Sequence, residues 1–289
     1  MTICIALACE SFKRGTSAAM VLVLDRAVSL GGMTSLETAV KGRRIGNLWH
    51  AMVAGNDASH AISVIKKVVR RVSELGDNIS SAVLEEHFSN AYKEVRQKQV
   101  EDLFLSSFGW SLNKFTEDGM RLLPVSEFSQ LLSEIQRFDL GCEFLVAGFP
   151  FANARDGDIF RVTNPGVATP EEVCSFAAIG SGAVNAYSYL ARREQAAHLS
   201  LPETIYNGVA AKILAEKALG IGRETHVVVF KSNGYHAMLE NVEDIRELWK
   251  REEENARPAD LAKRVNDLMK LNRKRNPRKK QKGKNREDR

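Results

Sequence analysis

Two apolar runs separated by a short polar segment open the chain, and this pattern limits the folds that it can adopt. Residues 3–9 are all apolar, and residues 18–25, "AAMVLVLD", stay apolar until Asp25. The segment between them, "SFKRGTS", has the polar, Gly-containing composition of a hairpin loop. Continuous apolar runs of this length are typical of strands that are covered on both faces. The sequence therefore predicts a buried antiparallel hairpin.

Further strands and then helices follow this hairpin. Strand-like segments span 27–32 and 38–54, with a break near Gly46 and Asn47. Apolar residues at helical spacing predict a helix over 57–75 and a second one from about 81 to 103. Residues 104–137 show no clean strand pattern, and 125–138 is helix-like.

The second half of the chain returns to strands and ends in helices. Strands are predicted at 142–149 and 158–164, with "ARDGD" as the turn, and again at 225–230. Helices are predicted at 181–194, 200–220, 241–254 and 258–271. Ser200 and Glu203 form a capping box with Pro202 in the first turn, and Gly220 is expected to end that helix. The order of elements predicts an α+β fold, a four-layer αββα sandwich of two antiparallel sheets covered by helices.

Composition limits the class of protein. With 289 residues, 44% of them hydrophobic, the chain can bury a large core. We expect a main domain at 1–240, a helical extension at 241–271 and a disordered tail at 272–289. No run of about 18 apolar residues occurs, so no membrane segment is predicted. The cysteines stand without CxxC pairing, at Cys4, Cys9, Cys142 and Cys174. This spacing indicates no disulfide framework and no zinc site, and fits a reducing cytoplasm.

The positive charge of the chain is concentrated at its end. Residues 273–289 hold ten Lys or Arg and two acidic residues, so the net charge of +5 conceals a body of about −3. A basic tail can bind phosphates by releasing counterions. Without interleaved aromatic residues or a recognised module, a solvated tail or an acidic partner is favoured over nucleic acid.

Motifs of the common catalytic sites are absent, including the Walker A loop, GxGxxG, HExxH and GxSxG. The six histidines show no ligand spacing, so we predict no metal. Thr2 directly follows the initiator Met, and its small side chain permits removal of Met1, which would leave a free amine beside a hydroxyl. Its candidate partners, chosen for their order and spacing, are Asp25, Lys41, Gly55 and Ser181.

With these residues in place, the chain resembles the proteasome-type β-subunits, a family of N-terminal nucleophile hydrolases that includes the bacterial heat-shock-locus peptidase and other bacterial proteasome homologues. The resemblance runs through "MTICIALA", "LVLDRAVS", "TAVKGRRIGNLWHAMVAGNDAS", "CEFLVAGF", "AAIGSGAVNAYSYL", "AAKILAEKALG" and "THVVVF". Its most specific part is the ungapped block from Asp25 to Gly55. The resemblance implies the N-terminal nucleophile hydrolase type of the αββα sandwich.

The resemblance also implies a role for each candidate residue. Thr2 would be the nucleophile, and its α-amine, freed by removal of Met1, would be the general base. Lys41 would favour the developing alkoxide, and Asp25 would hold Lys41 charged and oriented. The backbone N–H of Gly55 would bind the oxyanion, and Ser181 would form a hydrogen bond near the amine. Where the family usually places an Asp and then a Ser before its last core strand, this chain has Gly220 and Ile221.

A substrate site is implied around the same residues. A pocket for the residue before the cut would be lined by Val28, Ala39, Arg43, Val53 and Asp57. The backbone at Ser29 and Gly55 would pair with an extended peptide. The resemblance implies no cofactor.

The function expected from the resemblance is a threonine peptidase that acts on peptides or unfolded proteins inside a homo-oligomeric ring, with an ATP-dependent unfoldase as a further partner. Two alternatives stay open. One is a structural subunit of the same fold that does not cut, and the other is an amidase that acts on a small molecule.

Overall fold

A computed structural model describes residues 2–10, 18–25, 28–30, 34–36, 41–56, 58–76, 78–171, 175–218 and 220–254. The chain divides into two compact units, Met1–Arg246 and Glu247–Arg289. In the second unit, the described residues are 247–254. The predicted helix at 258–271 and the basic tail lie outside the described residues. The predicted domain boundaries stay predictions.

The first unit contains twelve described strands. The strands are β1 (Cys4–Glu10), β2 (Ala18–Asp25), β3 (Val28–Leu30), β4 (Thr34–Leu36), β5 (Gly42–Ile45), β6 (Trp49–Gly55), β7 (Cys142–Gly148), β8 (Asp158–Thr163), β9 (Val167–Pro170), β10 (Phe176–Ile179), β11 (Thr225–Lys231) and β12 (His236–Met238). The α-helices of the described chain are α1 (Ala58–Val72), α2 (Ser81–Val100), α3 (Leu112–Leu122), α4 (Val125–Arg137), α5 (Ala183–Arg192), α6 (Leu201–Ala215) and α7 (Val242–Trp249), which crosses the boundary between the units.

Strands form two five-stranded antiparallel sheets. The first sheet has the order β10-β1-β2-β11-β12, and the second has the order β5-β6-β7-β8-β9. β3 and β4 pair separately. Every residue of β2 is buried, as expected for a continuous apolar run. The predicted hairpin of β1 and β2 is confirmed.

The two sheets face each other across the main hydrophobic core. β1 contacts β6 and β7, and β10 contacts β7 and β8. The outer face of the first sheet is covered by α5 and α6, and that of the second sheet by α1 and α2. The result is the predicted αββα sandwich of two antiparallel sheets.

Helix boundaries follow local capping and packing. The predicted capping box of Ser200 and Glu203 is present at the start of α6. The predicted end of this helix at Gly220 is wrong, because the helix stops at Ala215 and Glu216 is its C-cap. Lys212, in the last turn, donates hydrogen bonds to the carbonyls of Gly222 and Arg223 in the loop that follows the helix.

Residues 104–137, which show no clean strand pattern in the sequence, belong to a helical region with its own hydrophobic core. After α2 comes a π-helical segment, Glu101–Leu105, followed by α3 and the predicted α4. A second hydrophobic cluster is built here around Val100, Leu105, Phe115 and Ile135. Strands β4, β9, β10 and β12 are short and were not predicted as separate elements. Among the described residues, no helix combines the length and the apolar character needed to cross a bilayer.

Candidate active site

Strand register brings Thr2 to the end of β2. Cys4 pairs with Leu24, and the Asp25 backbone N–H donates to the Ile3 carbonyl at 3.2 Å. The Asp25 side chain then turns back to the start of the chain. Its Oδ1 accepts hydrogen bonds from Thr2 Oγ1 at 2.9 Å and from the Ile3 N–H at 3.0 Å. Thr2 and Asp25, which are 23 positions apart in the chain, are thus brought together by the hairpin of β1 and β2.

Lys41, which directly precedes β5 of the second sheet, contacts both Thr2 and Asp25. Its carbonyl accepts the Val53 N–H at 3.0 Å, which fixes the Lys41 backbone beside β6. The Lys41 Nζ donates to Asp25 Oδ1 at 2.8 Å and also donates to Thr2 Oγ1. A hydroxyl therefore lies between a carboxylate and an ammonium group.

Asp25 and Lys41 are largely buried, so their charges interact with little screening by solvent ions. Asp25 is fully buried, Thr2 is 3% exposed and the Lys41 side chain is 10% exposed. A buried carboxylate is costly unless it is paired and hydrogen-bonded, and Asp25 has both kinds of partner. An ammonium group beside a hydroxyl stabilises the negative charge that develops on the oxygen during nucleophilic attack. The geometry can therefore activate Thr2 Oγ1.

The turn before α5 holds the carbonyl side of Thr2. Ser181 Oγ donates to the Thr2 carbonyl in a long hydrogen bond of 3.5 Å. Gly180 has φ +95°, and a Cβ built there would lie 2.2 Å from the Thr2 carbonyl oxygen. Only glycine permits this approach. The Gly180 N–H donates to Glu143 Oε1 at 2.8 Å, so β7 also supports the turn.

Gly55 ends β6, where its backbone approaches the chain before β7. Its φ is +152°, and a Cβ would lie 2.2 Å from the Gly141 carbonyl oxygen. Glycine is thus required here by packing against Gly141 and Cys142. The oxyanion role of its N–H stays a prediction.

Cys4 is the other nucleophilic side chain near Thr2. Its thiol donates to the Val53 carbonyl at 3.5 Å. Burial raises the pKa of the Cys4 thiol well above its usual value, and the charge of Asp25 adds to the effect. Cys4 therefore remains a protonated thiol in the core, and does not compete with Thr2 as a nucleophile.

The predicted pocket residues are described only in part. Arg43 is exposed on β5, and Val53 is half-buried on β6 and packs partly against the main core. Val28 and Ser29 lie in β3, opposite Leu36 and Ser35 of β4. The side chains of Val28 and Ser29, and all of Ala39 and Asp57, lie outside the described residues. The pocket stays a prediction.

A backbone amide also contacts Asp25. The Gly222 N–H donates to Asp25 Oδ2 in a long hydrogen bond of 3.4 Å. Sequence reasoning noted the neighbouring Gly220 and Ile221 but missed this amide. It also missed Glu143 and Lys212, although both are charged residues within apolar segments, "CEFLVAG" and "VAAKILA".

Two five-stranded antiparallel sheets thus lie between helical layers, with residue 2 at one end of the sandwich. A solved structure of a Gly-1 mutant of Anbu from Hyphomicrobium sp. strain MC1 is similar, with a TM-score of 0.57 and 12% identity over 96% of this chain and 98% of that one. HslV from Trypanosoma brucei matches with a TM-score of 0.47 and 16% identity over 79% of this chain and 98% of that one. No family model and no curated protein matches the chain. The chain has the fold of a proteasome-type β-subunit.

Proposed function

We propose that this chain is a threonine peptidase of the N-terminal nucleophile class, with Thr2 as its nucleophile after removal of Met1. One observation carries the proposal. Thr2 Oγ1, on the first residue that a trimmed chain would have, contacts both Lys41 Nζ and Asp25 Oδ1. The proteasome-type fold supports the same class.

The first half of the reaction forms an ester on Thr2. The α-amine of the trimmed Thr2 takes the proton of Oγ1, directly or through water, and Oγ1 attacks the scissile carbonyl carbon. Lys41 stabilises the negative charge on Oγ1 during attack, and the Gly55 N–H donates to the oxyanion. The tetrahedral intermediate then expels the leaving amine, which takes the proton back from the α-amine.

The second half restores the enzyme. Water attacks the ester carbonyl while the α-amine accepts its proton, and as the C–Oγ1 bond breaks, Oγ1 takes that proton from the α-amine. The products are a carboxylic acid and the Thr2 hydroxyl. No histidine, metal or cofactor takes part in this scheme.

Substrate and assembly are proposed from the sequence resemblance. We infer that the substrate is an extended peptide or an unfolded protein, bound along the backbone at Ser29 and Gly55. The chain would act in a homo-oligomeric ring in the cytoplasm, which an ATP-dependent unfoldase could feed. Electron microscopy of the native particle tests the ring, and a monomer would contradict it.

Removal of Met1 is the first test of the mechanism. The intact mass of the purified protein should be that of a chain beginning at Thr2. A retained Met1 would contradict the mechanism, because the Thr2 nitrogen would then be a peptide nitrogen with no basic lone pair.

Covalent labelling is the second test. A peptide epoxyketone should modify Thr2, because it reacts with a hydroxyl and an amine on the same residue. Thr2→Ala should abolish labelling, and Lys41→Ala should slow it about 100-fold or more. Thr116→Ala and Lys98→Ala alter exposed residues on α3 and α2 and are the matched controls. No labelling of the trimmed wild-type protein would favour a structural subunit instead.

A further inference from the structure

Lys212 is a fully buried lysine in the last turn of α6. The side chain has 0% exposure, and the residues around it in the sequence, "VAAKILA", are apolar. Transfer of an ammonium group into such a place is costly unless all its protons are bonded. A lysine buried in this way needs hydrogen-bond acceptors, and apolar side chains cannot provide them.

Three acceptors surround the Lys212 ammonium group. Its Nζ donates to Glu216 Oε1 at 2.5 Å and to the carbonyls of Gly222 and Arg223, each at 2.7 Å. Burial lowers the pKa of Lys212, and the hydrogen bond and charge of Glu216 oppose that effect. The ammonium group has three protons, and the three contacts use them all.

The two carbonyls belong to the loop 220–224, which also touches the candidate active site. While the Gly222 carbonyl accepts from Lys212, the Gly222 N–H donates to Asp25 Oδ2. The next residue back, Ile221, lies against the turn before α5, because a Cβ on Gly182 would be 2.4 Å from Ile221 Cδ1. Gly222 is thus held on one side by Lys212 and on the other by Asp25.

A second cation holds the same loop. Arg246 donates to the Arg223 carbonyl at 3.1 Å and forms a two-pronged ion pair with Glu216, at 2.8 and 2.6 Å. Glu216 therefore joins Lys212 and Arg246, and both cations hold the Arg223 carbonyl. Charge-assisted bonds of this kind fix geometry more strongly than neutral ones.

The geometry points to Lys212 as a positioning residue for the candidate active site. Through Gly222 it fixes Asp25 Oδ2, so that Oδ1 stays turned toward Thr2 Oγ1 and Lys41 Nζ. The inference rests on the proposed function for its catalytic consequence. In this chain, the Gly222 amide then supports Asp25, and Lys212 supports that amide by binding the Gly222 and Arg223 carbonyls.

The test measures inactivation kinetics of the full-length protein with the epoxyketone. Lys212→Met should lower the maximal inactivation rate about tenfold to 100-fold, because a misplacement of about 1 Å at a reacting group can cost about 100-fold. The half-saturating concentration of the reagent should not change. Lys217→Met makes the same substitution at an exposed residue and should behave as wild type. An unchanged maximal rate in Lys212→Met would overturn the inference.

Hydrogen exchange of the Gly222 amide separates this inference from the proposed function. Lys212→Met should raise the exchange rate of that amide about tenfold, whether or not the protein is an enzyme. An unchanged exchange rate of the Gly222 amide would overturn this inference. Labelling of the wild-type protein by the epoxyketone would then still support the proposed function. Failure of wild-type labelling, with the predicted rise in exchange, overturns the proposed function and leaves the support of Asp25 established.

Gly222 offers a second route if Lys212→Met does not fold. Gly222→Pro removes the amide donor to Asp25 but keeps the carbonyl that Lys212 binds. Gly222→Ala keeps both groups and is its control. The maximal inactivation rate should fall in the proline variant and stay much higher in the alanine variant. Equal rates in the two variants would overturn the inference.

Discussion

The two ends of the β-sandwich bury polar groups in different ways. Strand β11 shows the separation, because it pairs Thr225 with Asp25 near its start and Phe230 with His236 near its end. At the first end, Asp25 is buried as a charge beside Lys41. At the second end, His50 Nε2 lies 3.1 Å from His236 Nε2.

The difference shows two solutions to the cost of burial. The Asp25 carboxyl group is paired with the opposite charge of Lys41 and accepts further hydrogen bonds from Thr2 Oγ1 and the Ile3 N–H. His50 instead stays neutral, because burial, with the added charges of His236 and Arg44, lowers its pKa to about 3. The charged end can stabilise a developing charge on Thr2, and the neutral end serves packing.

Loss of one charge at the first end should have the largest effect. Asp25→Asn leaves Lys41 without its buried partner, and removal of one member of a buried ion pair costs about 3–5 kcal/mol. Urea denaturation should show a decrease of this size in the free energy of unfolding. Asp118→Asn breaks the exposed pair with Arg121 and should cost less than about 1 kcal/mol. Equal losses in the two variants would contradict the comparison.

A methyl group at Gly180 should have the next largest effect. Its Cβ would clash with the Thr2 carbonyl, and φ +95° adds strain of about 1–3 kcal/mol. Gly76→Ala is the control, since Gly76 has φ +81° and nothing within 4 Å of a built Cβ. We expect Gly180→Ala to be less stable than Gly76→Ala by thermal denaturation and to label more slowly. Equal melting temperatures would mean that the turn yields without disturbing Thr2.

Acid should act mainly through the second end. The folded pKa of His50 lies below the usual 6.5, so its contribution to stability is complete above about pH 6.5 and is lost as pH falls toward 3. Between these values the free energy of unfolding should fall by up to about 1.4 kcal/mol per pH unit. Urea denaturation at pH 7, 6 and 5 measures the slope. His50→Met should have a shallower slope, and an identical slope would contradict this assignment.

At neutral pH, the same substitution should have the smallest effect. His50 Nδ1 is buried without a hydrogen-bond partner among the described residues, and an unsatisfied buried group costs about 1–3 kcal/mol. His50→Met removes that group but also loses the ring contact with Phe230, whose centroid is 4.3 Å away. The two changes should offset each other to within about 1 kcal/mol by urea denaturation at pH 7. A loss as large as that of Asp25→Asn would remove the distinction between the two ends.

Much of the fold was predictable because its strongest signals are local. Apolar runs gave β1, β2 and β11, and the capping box gave the start of α6. Helix α3 was not predicted, and the structure gives the reason. Gly119 lies in the second half of α3, and a Cβ built there would be 3.0 Å from the ring of Phe128, so the helix depends on close packing against α4. Such a contact between helices leaves little trace in local periodicity.

The candidate site was predictable to the extent that spacing and resemblance allow. Thr2, Asp25 and Lys41 were selected from the sequence, and their side chains are in contact in the structure. Lys212 and Gly222 were missed, because their contribution is made through backbone atoms of a loop. An amide donor has no residue type, so a search for an acidic or hydroxyl side chain cannot find it.

The sequence by itself determined the layered α+β fold and placed a hydroxyl at residue 2, because the pattern of apolar residues and their order along the chain are contained in the sequence. Tertiary structure alone decided what stands around Asp25. Its neighbours come from the start of the chain, from the second sheet and from a loop 197 residues away along the chain. Hydrogen bonds depend on distances of about 3 Å in space, and strand register and helix packing set those distances.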